Sequence, residues 1–381
     1  MSASTSCSAA LQTLRRGERL PLETVRALGE EHPAEFFRII VEALADSFDP
    51  AQAEAYEDLM QPWIPSAQRN TVRQKIPEWV ETVYVLSRVT LGSDIKITGV
   101  ILDAMKTRFP EADIVLVGGR KSAELFAADA RIRHLEAEYP RVGPVSARIE
   151  FAYQLRSVLE GKNRIVVDPD SRLTQLGLIP ACEPESYFHF PSRTTGSDSS
   201  ANLSDLTKSW LRETFGTSGE AYVSPQPVPA DCEHPSVSVS LGVGGNESKR
   251  IRGAFEAHLI RTLGERHKAV WIDRGAGGEE AQRVSDAATQ SGAAGRVRFW
   301  GGSFAGFVSI IAQSDFYVGY DSAGQHAAAA AGIPLVSIFA GANSTRFRNR
   351  WAPSGSAKAT VINADEIAPE AILKAIALSS P

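Results

Sequence analysis

Twice along this chain, short uninterrupted apolar runs alternate with helical patterns, and most of the runs close on a turn rich in glycine, serine or aspartate. In the first series, strands are predicted at 83–89, 114–117 and 164–167, with helices over 95–108 and from 123 to 126. The second series begins at residue 237. Its strands are predicted at 237–241, 269–272, 297–299, 316–318 and 335–339, and its helices at 253–266, 279–291, 304–313, 323–331 and 369–378. Runs without polar alternation suit strands buried on both faces, which means parallel sheets covered by helices. The expected fold class is α/β, with two Rossmann-like domains facing one another across a cleft. A length of 381 residues suits two such domains and one additional segment.

The additional segment is N-terminal. Phe36, Phe37, Ile40, Val41 and Leu44 recur three and four apart, while Pro21, Pro33, Pro50, Pro62 and Pro65 mark boundaries between short helices. Residues 1–75 are therefore expected to form a helical extension. The first α/β domain is placed at 76–220, the second at 221–360, and a closing helix at 361–381. Residues 196–235 are rich in Ser, Thr, Gly and Pro and read as a connection holding one helix at 204–215.

Composition removes several function classes. Forty basic against forty-five acidic side chains give a net charge of −5, so no nucleic-acid partner is expected. Cys7, Cys182 and Cys232 are widely spaced and form no CxxC pair, which argues against a zinc site or a disulfide framework and suggests a reducing compartment. No apolar run reaches the roughly 18–20 residues needed to span a bilayer. The first residues carry their charges after a weakly apolar stretch, the reverse of a secretory signal. The expectation is a cytoplasmic protein with at most peripheral membrane contact.

In open parallel sheets, ligands bind beyond the carboxyl ends of the strands. Four groups of loop residues stand out there. In the turn from Gly242 to Arg250, Gly244 and Gly245 allow backbone N–H groups to approach a ligand. Asn246 or Ser248 can cap the following helix, and Lys249 and Arg250 then sit where the helix dipole disfavours cations unless an anion binds. In the second loop, Asp321 or Ser322 caps a helix that begins with the small residues Ala323 and Gly324 and includes His326. Capping alone explains Asp321, and a lone histidine is more often a core residue than a functional one. The third loop carries Glu279 and Glu280, acids that the helix dipole favours in a first turn and that can also hold ribose hydroxyls. The fourth group is in the first domain: Asp94 follows Thr90-Leu91-Gly92-Ser93, as a helix cap or as a base. Arg120 and Lys121 follow a predicted strand, and Arg346, Arg348 and Arg350 cluster after another; these cations are either solvated or receive an anionic substrate.

Together these loops resemble the bacterial heptosyltransferase family, which are inverting GT-B glycosyltransferases using ADP-heptose. The resemblance runs over residues 83–351 and leaves the extension unmatched. Asp94 precedes Phe109-Pro110 at the family's distance, with Ser93 where the family has glycine. Ser248-Lys249-Arg250 is similar to the basic motif of the second domain, without its usual Trp. Asp321-Ser322-Ala323-Gly324-Gln325-His326 is similar to the family's Asp-Thr-Gly-x-x-His, with the glycine one position later. The resemblance implies an acceptor domain followed by a nucleotide-sugar domain. It assigns Asp94 as the base, and Gly244, Gly245, Ser248, Lys249, Glu279, Asp321, Ser322, Ala323, Gly324 and His326 to the donor. Arg120, Lys121, Arg346, Arg348 and Arg350 would meet the acceptor, which could be a saccharide, lipid-linked or a protein. No metal and no cofactor are implied, the nucleotide sugar being a co-substrate.

Three alternatives compete. Asp168-Pro169-Asp170 has the DxD form of metal-dependent glycosyltransferases. A GT-B-fold protein that binds without catalysing would account for the altered Thr-Gly positions. A nicotinamide oxidoreductase would require GxGxxG, but Glu247 occupies the last glycine position.

Overall fold

The computed structural model describes residues 2–45, 49–65, 74–196, 199–228, 233–244, 246–275, 277–341 and 344–381. Gly245 and Cys232 lie outside the described residues. The chain builds two sheets in which every pairing is parallel. The first contains β1 (Thr82–Leu86), β2 (Asp113–Gly118), β3 (Ile132–Glu136), β4 (Arg164–Asp168) and β5 (Tyr187–His189), in the order β3-β2-β1-β4-β5. The second contains β6 (Val237–Ser240), β7 (Val270–Asp273), β8 (Val297–Trp300), β9 (Tyr317–Tyr320), β10 (Leu335–Phe339) and β11 (Ala359–Asn363), in the order β11-β10-β9-β6-β7-β8. Each sheet changes winding direction beside its own first strand, between β1 and β4 and between β6 and β9. Such switch points open crevices at the carboxyl ends of the strands.

The central strands form because their residues are apolar on both faces. Val83, Val85, Ile114, Leu116, Ile165 and Val167 are fully buried on one face and Leu86, Val117 and Val166 on the other, and β6 pairs Val239 with Val318 of β9. The strand expected at 83–89 stops at Leu86, because Val89 has turned to a φ of 72°. That left-handed conformation is uncommon for a β-branched residue. Three strands had no counterpart in the sequence reading: the exposed β3, the three-residue β5 and the edge strand β11. β11 adds to the second sheet beside β10, so the segment expected as a closing helix begins with a strand, and the helix itself is Pro369–Ser379. Nor is residue 220 the end of the first domain. Ser224 N donates to Leu125 O and Ala128 N to Ser224 O, each at 2.8 Å, which keeps this part of the connection on the first domain.

The extension forms helices Ala3–Arg15, Leu22–Glu31 and Pro50–Met60, with a π-helical turn at Phe36–Val41. Ser2 caps the first helix and Asp49 caps the third. Their apolar faces close over a core that includes Cys7, Leu14, Phe36, Ile40 and Met60, and the same core takes in Val145, Ile149 and Ala152. Those three belong to helix Val145–Leu159 of the first domain, which packs on the extension on this face. Glu30 completes the joint by accepting from Trp63 Nε1 at 2.5 Å and from Ser146 N and Oγ at 3.0 and 2.7 Å.

The two sheets also share a core. Val83, Ile97 and Ile101 belong to one buried apolar cluster with Phe307, Ile311, Ala327 and Ala328. Among the described residues, no helix is long and apolar enough to cross a membrane.

Candidate functional site

The second switch point brings the turn after β6 to the turn after β9. Gly244 has a φ of 61°, and a Cβ there would meet open space, so the backbone at this point is accessible. Asn246 accepts from Ser248 N at 3.2 Å and caps a short 3₁₀ turn, Glu247–Lys249. This turn differs from the expected arrangement. Helix Phe255–Arg266 starts later, so Lys249 and Arg250 are not at its first turn. Arg250 instead pairs with Glu247 and Glu256, and its guanidinium pKa is raised: burial works against the shift, but the charges and hydrogen bonds of Glu256 and Glu247 together outweigh it. Arg283 joins Glu256 from the other side and donates to Leu241 O at 3.0 Å.

Lys249 faces the crevice. Its Nζ lies 2.7 Å from Asp321 Oδ2 and 5.5 Å from the centre of the Phe347 ring. Asp321, buried at the end of β9, accepts from Gln325 Nε2 at 2.6 Å through its other oxygen, and Ser337 Oγ donates to Gln325 Oε1. Ser322 is the extended N-cap of helix Ala323–Ala330, and its side chain makes no capping bond. Gly324 stands where its helix crosses Tyr317, and any Cβ there would collide with the Tyr317 hydroxyl. That contact explains why the glycine of this segment is at position 324. Glu279 is exposed at the first turn of helix Gly278–Ser291. Glu280 is the acid that reaches back: Cβ atoms on Gly242 or Gly275 would strike its carboxylate.

The first domain meets this crevice through Gly92. A Cβ on Gly92 would come within 3.1 Å of His326 Cδ2 and 3.5 Å of Ala323 Cα. His326 is buried 5.8 Å from the Trp351 ring, and burial together with Lys96 and Lys249 pushes its pKa well down, so the imidazole is neutral.

Asp94 does not face the crevice. It is 1% exposed and turned into its own domain, where Oδ1 accepts from Arg88 N at 2.7 Å and from Thr98 Oγ1 at 3.0 Å. Ser87 Oγ donates to both carboxylate oxygens, at 3.0 and 2.8 Å. Burial raises its pKa in spite of these donors. In this arrangement Asp94 ties the end of β1 to the following helical turn, with three donated bonds on Oδ1 and one on Oδ2.

The arginine cluster also separates. Arg350 is fully buried, and its NH2 donates across the domain junction to Thr195 O at 3.1 Å and to Gly196 O. It fastens the two domains and is not open to an acceptor, which corrects that assignment. Arg348 pairs weakly with Glu366 at 3.8 Å, and Arg346 is exposed. Arg120 and Lys121 are exposed on helix Arg120–Glu124, where Arg120 pairs with Glu124 at 3.0 Å.

Residues that sequence reasoning missed complete the junction. Lys96, 1% exposed, donates to Asn202 Oδ1, Ala352 O and Ser354 Oγ at 2.6, 2.7 and 3.1 Å. Arg88 Nε donates to Pro169 O at 3.1 Å across the first switch point, and its guanidinium lies 5.9 Å from the Trp351 ring. A lysine between Ile95 and Ile97, and a glutamine four residues after Asp321, were the available signals. The DxD carboxylates are engaged separately. Asp168 accepts from Ser171 N, Thr174 Oγ1 and Tyr187 OH, and Asp170 from Ser192, Arg193 N and His189. Among the described residues, no cluster of three His, Cys, Asp or Glu side chains is arranged to hold a metal.

Comparison with known proteins bears on the same crevice. Residues 247–372 match the family model described as glycosyltransferase family 9 (heptosyltransferase), a span that includes Lys249, Asp321 and His326. No curated protein matches the chain. A solved family 9 glycosyl transferase from Veillonella parvula is 15% identical, with 82% of this chain and 99% of that one covered at a TM-score of 0.62. E. coli heptosyltransferase WaaC, solved with ADP, is 15% identical, with 78% and 99% covered at 0.58. E. coli ADP-heptose lps heptosyltransferase II is 18% identical, with 78% and 98% covered at 0.53. At such identities the structures establish a shared GT-B architecture. The chain thus carries a glycosyltransferase family 9 domain on its second sheet, within a two-sheet fold like that of the heptosyltransferases and lengthened by an N-terminal helical extension.

Proposed function

We propose that this chain transfers a heptose-like sugar from a nucleotide-diphosphate donor to an acceptor hydroxyl on a saccharide, lipid-linked or protein acceptor. ADP-heptose is the first donor to try, because a similar fold is solved with ADP. The observation that carries the reading is the Lys249–Asp321 pair at the switch point of the second sheet.

In this reading the donor's diphosphate lies between Gly244 and the first turn of helix Ala323–Ala330 and takes Lys249 from Asp321. Backbone N–H groups at a helix start favour an anion by about 0.3–1 kcal/mol, and charge-assisted bonds from Lys249 contribute more. The charge that develops on the leaving diphosphate is then met without a metal or other cofactor. Asp321, released from Lys249, accepts from hydroxyls of the sugar. Glu280 takes the ribose, with Glu279 at the mouth. An inverting displacement also draws a proton from the acceptor. Asp94 is the base this reading assigns, taking the proton on Oδ2 once the acceptor displaces the Ser87 hydroxyl.

The burial of Asp94 favours a second reading, a nucleotide-sugar-binding protein without turnover. Titration with ADP and ADP-heptose tests both. A ligand at about 100 times its Kd should stabilise the fold by about 2.7 kcal/mol. Failure of every nucleotide diphosphate to bind defeats the proposal; binding with no transfer to any acceptor supports the second reading. Transfer that stops in a chelator defeats metal independence.

A further inference from the structure

A cavity of about 80 Å³ lies at the carboxyl ends of β4 and β5, where the extension crosses the first domain. Asp170, His189, Arg193 and Thr194 supply its polar side, and Leu44 and Tyr56 of the extension close the other. The donor crevice uses none of them. The cavity nevertheless adjoins the domain junction, since Thr195 and Gly196, next along the chain, receive Arg350 from the second domain.

The backbone here is unusual. Asp170, Gln175 and Leu176 have φ values of 64°, 52° and 60°, three of the five non-glycine residues with positive φ among the described residues. Such conformations are strained and persist where the surroundings enforce them, often at binding sites. In this case they turn the Asp170 carboxylate onto His189 and hold Leu176 on the cavity wall.

The side chains are set for a ligand. His189 Nε2 lies 2.8 Å from Asp170 Oδ1, and a Cβ on Gly177 would stand 2.5 Å from the same nitrogen. The Nε2 edge is therefore occupied, and the ring, stacked on Tyr187 at 6.1 Å, lines the cavity. Asp170 also accepts from Arg193 N at 2.7 Å, while Arg193 NH1 donates to Asp170 O at 2.7 Å. Burial opposes ionisation of Asp170, but the His189 bond and charge bring its pKa down to about 2. Asp49, Glu57 and Asp170 more than balance His189 and Arg193, so the lining is no anion trap. It pairs hydroxyl-binding groups with apolar walls from Leu178 and Pro191. At about 10–15 Å³ for each water-sized occupant, the space takes about six non-hydrogen atoms, one edge of a pyranose ring.

We propose that this cavity is a saccharide subsite for the acceptor, gripping the vicinal hydroxyls of a neutral sugar between the first domain and the extension. The proposal rests on the glycosyl-transfer reading above. It makes the extension a determinant of acceptor choice.

The test uses the full chain, with methyl α-glucopyranoside, methyl α-mannopyranoside and methyl β-galactopyranoside as probes. Saturation-transfer NMR reads their binding, and calorimetry with ADP reads the donor crevice. At least one glycoside should bind saturably. His189→Ala should raise its Kd about fivefold or more, as loss of one hydrogen bond does. Ala53→Leu, which narrows the cavity from the extension side, should raise the Kd about fivefold or more in a protein that still melts cooperatively. Neither variant should alter ADP affinity. Saturable binding that both variants leave unchanged, or ADP binding with no glycoside bound, overturns the proposal and leaves the donor reading standing. Failure of ADP to bind the unaltered protein counts against the donor reading instead.

Discussion

Lys249 and Asp321 join the two turns of the second switch point through one ion pair of 2.7 Å, so the crevice holds its own counter-ion. Asp321 is buried and also fixed by Gln325, whereas Lys249 is more exposed and is the partner free to swing. A diphosphate would therefore gain a lysine and release an aspartate in a single exchange.

Replacing Lys249 with methionine should weaken ADP binding roughly 10- to 100-fold, the range expected when a bond to a charged group worth about 1.5–3 kcal/mol is lost. Calorimetry at two salt concentrations checks this. Wild-type affinity should fall more steeply with salt than that of the variant, and an unchanged Kd would remove Lys249 from the donor site.

Asp94→Ala should act on folding. It strands Arg88 N, Ser87 Oγ and Thr98 Oγ1 in a dry interior, at roughly 1–3 kcal/mol for each donor left unpaired. Urea unfolding measures the loss. A variant that unfolds at the wild-type midpoint but has lost transfer would limit Asp94 to the role of base.

Lys96 gives stability an alkaline signature. Burial lowers its pKa from 10.5 to about 7, with Asp205 and Asp321 pulling it up and Lys208 adding to the fall. Between those values the unfolded chain binds more protons than the folded one, so stability should rise as pH increases from about 7 towards 10. His326, which faces the same junction, does not supply this slope, because it is already neutral there. Unfolding free energies measured across that range should flatten in Lys96→Met. An equal slope in the variant would show that another group is responsible.

Gly324→Ala should push helix Ala323–Ala330 off Tyr317, at a cost on the order of 1–3 kcal/mol for overpacking. Tyr317→Phe in the same chain should recover part of the loss, because the colliding atom is the hydroxyl. Thermal melts of the two single variants and the double variant give the coupling. Simple additivity would mean that the helix yields elsewhere.

The second sheet was readable because β7, β9 and β10 are short, largely apolar runs with glycine or aspartate at or just after their ends, and periodicity needs no tertiary information there. β5 was not, since three residues carry no period. Helix Val145–Leu159 was missed for another reason: buried Arg148 interrupts its apolar face, and that arginine makes sense only against Tyr139, just ahead of the helix, and Phe37, distant in sequence. The loops of the crevice were legible as loops. Which way Asp94 and Arg350 point was not, because each is oriented by partners on other elements: Ser87 and Arg88 for the first, and the carbonyls of Thr195 and Gly196 for the second.

Helix Val145–Leu159 gives Val145, Ile149 and Ala152 to the core of the N-terminal extension. A truncated version starting near residue 76 would therefore not be a minimal transferase. It would carry a bare oily stripe beside the first sheet and clump during purification, and an assay on such material would report on aggregates. The opening helices are foundation for the enzyme, and should be kept in any fusion, tag placement or crystallisation trial.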